Sequence, residues 1–421
     1  MRRLLVLVLV ASSLTVANAG AADDPGRPQQ WALDRIGAAS GRGAGVVVAV
    51  LDTGVDLAHV DLRDRVLPGV DLVDGDDVAQ DENGHGTHVA GIVAATGGNG
   101  AGIVGVAPAA SLLPVRVLGD DGTGTLDTVV AGVRWAVAHG ADVINLSLSE
   151  DAQAVLGPSL ADALREAWEA GVVPVIAAGN QYVLGSGFAD EPAMVVAATT
   201  RDDGKPSYSS SVGSARWGIA APGGEQPALG QDQAVLSTYW VAGMTDQYAY
   251  DAGTSMAAPH VAGAVAVLLG MGMSPQQAVD RLLATADDIG SPGRDDTFGA
   301  GRLDLAAAAA SDGVDPGNET PAPTPAPTTA PGRSGTATTA PAAADAASTT
   351  SVAPTPTMTV EPRPSTTSKT DAVTAALTDD DADDDDPSKT APAIVAAALA
   401  LTVLACIQRV RARSMQARTP S

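Results

Sequence analysis

Five short runs dominated by aliphatic and β-branched residues constrain this chain most: 46–51, 113–118, 142–148, 172–177 and 194–198. None shows sustained apolar–polar alternation. A strand with one wet face alternates, whereas a strand covered on both faces does not, so these runs belong in a parallel sheet sandwiched by helices. Between them, residues 126–139 and 159–170 carry helical spacing, and Gly140 and Gly171 follow where a left-handed cap would end each helix. Strand and helix in succession imply βαβ units with right-handed crossovers, hence an α/β layered domain over residues 45–310. Ligands of such sheets bind beyond the carboxyl ends of the strands. Asp52 directly follows the first run, which puts a carboxylate at that edge.

The pattern stops after Ala310. Residues 311–390 are Pro, Thr, Ala, Ser and Asp with too little apolar surface to offset the entropy of ordering, and they read as a linker. The aspartates of 379–386, interrupted only by Ala382, repel one another and read as solvated spacer. At the amino end, Arg2 and Arg3 precede an apolar run that ends in Ala17-Asn18-Ala19, the pattern of a secretory signal over 1–19. Residues 20–44 then form an N-terminal arm. Near the other end, 391–408 is expected to form one transmembrane helix, short for a core of ~30 Å. The arginine-rich tail 409–421 is expected on the cytoplasmic side and the folded domain outside, anchored to the cell membrane. The formal charge of −25 excludes nucleic acid as a partner, because phosphates are neutralised by Lys and Arg. A single cysteine, Cys406, leaves the exported part without an internal disulfide.

Three motifs carry chemistry. Val50-Leu51-Asp52-Thr53-Gly54 offers an acid, Asn83-Gly84-His85-Gly86-Thr87-His88 a base, and Gly253-Thr254-Ser255-Met256-Ala257-Ala258-Pro259 a nucleophile. A serine hydroxyl is a weak nucleophile unless a base takes its proton and a buried carboxylate orients that base. His85 sits between two glycines that leave room beside the ring, ahead of a helical run over 87–95. Ser255 opens the helical run containing 261–269, where unpaired N–H groups face an attacked carbonyl. His88, three residues from His85, lacks the third ligand of a zinc site and reads as packing, as do His59, His139 and His260.

The order Asp…His…Ser and the flanking residues resemble the subtilisin family over roughly residues 30–310. The resemblance implies a subtilisin-like three-layer domain with a mostly parallel central sheet, acting as a serine endopeptidase on peptide or protein substrates. It assigns Asp52, His85 and Ser255 to the triad, and the side chain of Asn180 with the Ser255 N–H to the oxyanion hole. Gly122, Thr123 and Gly124, with Ser147 and Leu148, would pair with an extended substrate. Ser149 replaces the usual glycine, and Asp190 beside Glu191 suggests Lys or Arg at P1; a peptide-library profile dominated by large apolar P1 residues would exclude that preference. No cofactor is required for catalysis, while Asp61 and Asn99 match ligands of a structural calcium, with the loop 97–102 adding carbonyls. Signal, short arm, linker and anchor together resemble the mycosins, membrane-anchored subtilases of type VII secretion systems, although mycosins usually carry cysteines in the exported domain. The rival reading is a structural component of such a secretion complex with secondary or no proteolysis. A lipase-type α/β-hydrolase is excluded by triad order and by the missing Gly-x-Ser-x-Gly elbow.

Overall fold

The computed structural model describes residues 24–38, 42–148, 158–180 and 189–310, and the backbone of Thr357–Thr359. Its strands are β1 (Val47–Asp52), β2 (Val70–Asp71), β3 (Ser111–Arg116), β4 (Thr123–Thr125), β5 (Val143–Leu146), β6 (Val173–Ala177), β7 (Met194–Thr199), β8 (Trp217–Pro222), β9 (Val235–Tyr239), β10 (Gln247–Asp251) and β11 (Thr357–Thr359). All five expected runs are present. With β2 and β8 they build one seven-stranded parallel sheet in the order β2-β3-β1-β5-β6-β7-β8. The helices are α1 (Trp31–Arg35), α2 (His85–Ala94), α3 (Leu126–Ala138), α4 (Pro158–Glu169), α5 (Thr254–Gly270), α6 (Pro275–Ala284) and α7 (Leu305–Ala309).

Strand β1 shows why its sequence does not alternate. Val48 and Val50 enter the core shared with α2 and α5, while Ala49 and Leu51 enter the opposite core, shared with α3 and α4. Successive side chains point to opposite faces, and both faces are dry. Helix α5 is buried along nearly its whole length, so it is apolar all round and not amphipathic. Gly140 and Gly171 adopt φ values of 81° and 85° just past α3 and α4, as their positions require. From β1 the chain first builds β2 and β3 on one side, then β5 to β8 on the other. The reversal therefore lies at the β1–β5 boundary, and the crevice beyond its carboxyl ends is the expected ligand position.

Two boundaries differ from expectation. Residues 24–38 are not a separate arm: Trp31, Ala32, Leu33 and Ile36 are buried in the domain core. The Trp31 indole donates to the Ala234 carbonyl at 2.9 Å, and the Gln30 amide pairs both ways with the Val104 backbone at 2.7 and 3.0 Å. Nor is the linker free of structure throughout, because β11 pairs antiparallel with β4. The signal over 1–19, the rest of 311–390, the helix 391–408, the tail and Ser149 lie outside the described residues. Among the described residues no helix is long and apolar enough to cross a membrane.

Candidate active site

Asp52 ends β1 and is fully buried. Its Oδ1 accepts from the Thr53 N–H at 2.8 Å and lies 2.7 Å from Nδ1 of His85, the first residue of α2. A buried carboxylate requires such donors. The turn before α2 is organised by Asp81, which sequence reasoning missed. Its two oxygens accept from Thr53 Oγ1, from Thr87 Oγ1 and from the N–H groups of Asn83, Gly84 and Thr87, at 2.5–2.9 Å. Thr53 Oγ1 in turn accepts from the Gly86 N–H at 3.0 Å, locking the β1 end to the α2 start. The glycines flanking His85 do not leave room for a substrate. A Cβ on Gly86 would lie 2.1 Å from the Gly54 carbonyl, and one on Gly84 (φ 109°) 2.5 Å from the Tyr239 ring. They permit close approach within the protein itself.

Burial of the His85 ring works against its charged form, but the charge and hydrogen bond of Asp52, with smaller help from Asp251 and Asp81, prevail. The imidazole is therefore held above its ordinary value of 6.5. Burial pushes His88 and His260 the other way, each to about 4, and both are neutral packing residues at neutral pH. His88 Nε2 meets the Ala249 carbonyl at 3.2 Å, and His260 Nδ1 meets the Met256 carbonyl at 2.8 Å.

Ser255 is the second residue of α5, as the helix-start reading requires. Pro259, inside the same helix, has no N–H to offer the Ser255 carbonyl four residues back. That carbonyl instead accepts from Ser147 Oγ at 2.9 Å, and Ser147 Oγ accepts from the Asn145 amide at 2.8 Å. The proline thus frees an acceptor by which the end of β5 is fastened to the start of α5. The Ser255 hydroxyl donates to the Ser147 carbonyl at 3.3 Å and not to His85. Hydrogen bonds of this kind often form fully only with a bound substrate.

Asn180 follows β6, near the same end of the sheet. Its side-chain oxygen accepts from both the Thr254 N–H and Thr254 Oγ1 at 3.0 Å. A backbone N–H can only donate, so the Asn180 atom facing it must be oxygen, and the amide nitrogen is turned to the other side. Thr254, fully buried, also accepts from the Gly179 N–H at 3.2 Å. Its role in setting Asn180 was not read from sequence. The only signal available was its place beside Ser255.

Thr123 and Gly124 lie in β4, outside the main sheet, with Gly122 immediately before it. The loop leading to it is tied to the His85 turn, since the Asn83 amide donates to the Asp120 carbonyl at 2.9 Å. Ser147 and Leu148 follow β5, both buried, with the Ser147 side chain committed to α5. Asp190 is exposed, and Glu191 pairs with Arg165 of α4 at 3.3 Å.

Asp61 and Asn99 do meet, but as acceptor and donor. The Asn99 amide donates to Asp61 Oδ1 at 2.8 Å, while Oδ2 accepts from the Ile103 N–H at 3.0 Å and the Tyr248 hydroxyl at 2.9 Å. Asn99 Oδ1 accepts from the Ala101 N–H at 2.9 Å. In the loop 97–102, N–H groups point inward: those of Gly98 and Gly100 donate to the Asp24 carboxylate at 2.7 and 3.2 Å. Burial raises Asp61 above its ordinary value, against the pull of these hydrogen bonds. Calcium needs six or more oxygen ligands, and here Asn99 turns an N–H toward Asp61 while three donors engage the Asp61 carboxylate. This donor arrangement disfavours a calcium ion between Asp61 and Asn99. Adding a strong calcium chelator is accordingly expected to leave the melting temperature unchanged in a thermal scan; a fall of several degrees would contradict this donor arrangement.

Comparison with known proteins agrees with this geometry. A family model described as "Peptidase_S8: Subtilase family" matches residues 43–301. The chain is 40% identical to thermitase of Thermoactinomyces vulgaris over 271 residues, 63% of this chain and 87% of that protein. It is 38% identical to subtilisin DY of Bacillus licheniformis over 288 residues, 66% of this chain and 95% of that one. Among solved structures, a protease of Pseudoalteromonas arctica superposes with a TM-score of 0.60 at 33% identity, covering 68% of this chain and 98% of its own.

Proposed function

The chain belongs to the subtilase family and is a serine-type endopeptidase, and from that premise we propose that Asp52, His85 and Ser255 perform its chemistry. The observation that carries this reading is the 2.7 Å contact between Asp52 Oδ1 and His85 Nδ1, at the crevice where α5 presents Ser255. Nδ1–H donates to the carboxylate, which leaves Nε2 as the basic nitrogen. Nε2 takes the Ser255 proton as Oγ attacks the peptide carbonyl, and Asp52 stabilises the imidazolium. Asn180 Nδ2 and the Ser255 N–H hold the oxyanion; His85 then protonates the leaving amine, and water releases the acyl-enzyme by the reverse path. Labelling with a fluorophosphonate tests this: a Ser255-dependent adduct is expected, and labelling that survives Ser255→Ala would overturn it.

Only neutral imidazole can accept the serine proton, so kcat/KM is expected to fall as pH drops, with a midpoint above 6.5. Asp52→Asn should move that midpoint down. A wild-type midpoint at or below 6.5 would contradict the dominance of Asp52. Linkage to stability has the opposite sense. The folded state holds this proton more tightly, so its contribution is complete below pH 6.5 and lost as pH rises through the folded value.

The proposal extends to location. A cleaved signal over 1–19, an anchor over 391–408 and the basic tail would hold the protease domain outside the cell membrane, in a mycosin-like arrangement that admits secretion-system partners. Support comes from the sequence patterns alone. Alkaline carbonate extraction of membranes bearing the full chain is the test; release into the soluble fraction would overturn the anchor.

A further inference from the structure

Strand β4 has no partner in the main sheet; its partner is a piece of the linker. Thr357, Met358 and Thr359 lie opposite Thr125, Gly124 and Thr123, antiparallel. The pairing can be read bond by bond. The Thr123 N–H donates to Asp121 Oδ1 at 2.8 Å, and the Thr123 carbonyl accepts from the Gly119 N–H at 2.8 Å, so both groups face away from β11. Backbone direction alternates along a strand, which turns the N–H and C=O of Gly124 toward Met358, its register partner.

Direction matters as much as pairing. Running from Thr357 to Thr359, the linker passes from Thr125 toward Thr123, hence toward Gly122 and the loop fastened by Asn83. Asn83 also accepts the His85 N–H at 3.2 Å. The linker therefore enters this edge heading for the proposed catalytic histidine, as a peptide laid on the edge for cleavage would.

The sequence around β11 suits such docking. Proline cannot donate to a ladder, and Pro356 and Pro362 bracket a window of five residues, Thr357-Met358-Thr359-Val360-Glu361. Thr and Val favour extended pairing, unlike the Ala and Asp that fill much of the linker. Reach is sufficient, since the 46 residues between Ala310 and Thr357 span about 35–40 Å as a coil.

We propose that this linker segment is an intramolecular competitive inhibitor that occupies the substrate edge of its own protease domain. The inference rests on the triad reading for what it blocks, but the docking itself can be measured without activity. Hydrogen–deuterium exchange at the Gly124 amide is compared in full-length Ser255→Ala chain with and without Met358→Pro, which removes the paired N–H. Slower exchange in the chain that retains Met358 is expected, and equal exchange overturns the docking. In chains retaining Ser255, Met358→Pro is expected to lower the KM for a short chromogenic peptide about three- to tenfold at unchanged kcat, because tethering supplies a high effective concentration. A synthetic peptide of residues 350–366 should raise the KM of that variant again. Equal KM values, or rapid cleavage of the added peptide, overturn inhibition. If the triad reading itself were wrong, neither chain would hydrolyse peptide or take the fluorophosphonate, while the exchange comparison would still report the docking.

Discussion

Ser255→Ala and His85→Ala are each expected to lower kcat by about 10⁶-fold, and the double variant by no more than either alone. Proton transfer and attack form one event, so once either partner is missing the other has nothing left to contribute. Asp52→Asn should cost less, about 10⁴-fold, because an amide preserves the shape but no longer favours the tautomer with Nδ1–H, nor stabilises the imidazolium. The geometry supports this ranking: Asp52 bonds His85 at 2.7 Å and makes no hydrogen bond to the nucleophile. Single-turnover and steady-state rates on a chromogenic peptide, with melting temperatures to confirm folding, provide the check. A double variant whose loss equals the product of the two single losses would show that the residues act independently. It would sink the shared-proton mechanism.

What the sequence made legible follows from which forces act locally. β1, β5, β6 and β7 could be read because strands dry on both faces must be built from aliphatic residues throughout. β8 could not: Trp217-Gly218-Ile219-Ala220-Ala221-Pro222 contains Gly and Ala, which carry little strand preference, and its place is set by pairing with β7. The β9–β10 hairpin was missed for a related reason, since every residue of β10 is only half-buried and gives no apolar run. At the site, Asp52, His85, Ser255 and Asn180 could be read because each lies within a dense local motif. Asp81 gathers the N–H groups of its own turn and reaches Thr53 Oγ1, 28 residues back, while Thr254 meets the Asn180 side chain across 74 residues, and no spacing announces either role. The calcium expectation shows what residue types leave open. Residue types at the right positions specify which oxygens are near, not whether their lone pairs are already taken by Asn99, Ile103 and Tyr248.

Asn180→Leu is expected to lower kcat about 10²–10³-fold, or ~3–4 kcal/mol of transition-state stabilisation, with KM little changed. The split between the two constants is the informative part. The ground-state carbonyl carries little charge, so the amide nitrogen gains its full hydrogen bond only as the oxyanion forms. Leucine fills a similar volume without a donor, so packing near Gly253 and Thr254 is nearly conserved. Thr254 supplies a second, more searching variant because its hydroxyl is committed to Gly179 and Asn180. Its Oγ1 donates to Asn180 Oδ1 at 3.0 Å, and losing it should let the amide rotate. Thr254→Val is thus expected to lower kcat about tenfold, less than Asn180→Leu because the Thr254 N–H still holds the same oxygen. Thr254→Ser, which restores the hydroxyl but not the methyl, should recover most of the rate. A merely structural role would predict the reverse, with valine tolerated in a fully buried position and serine leaving a cavity. If Thr254→Val kept full kcat while Thr254→Ser lost stability, the hydroxyl would have no part in aiming Asn180, and the N–H alone would hold it.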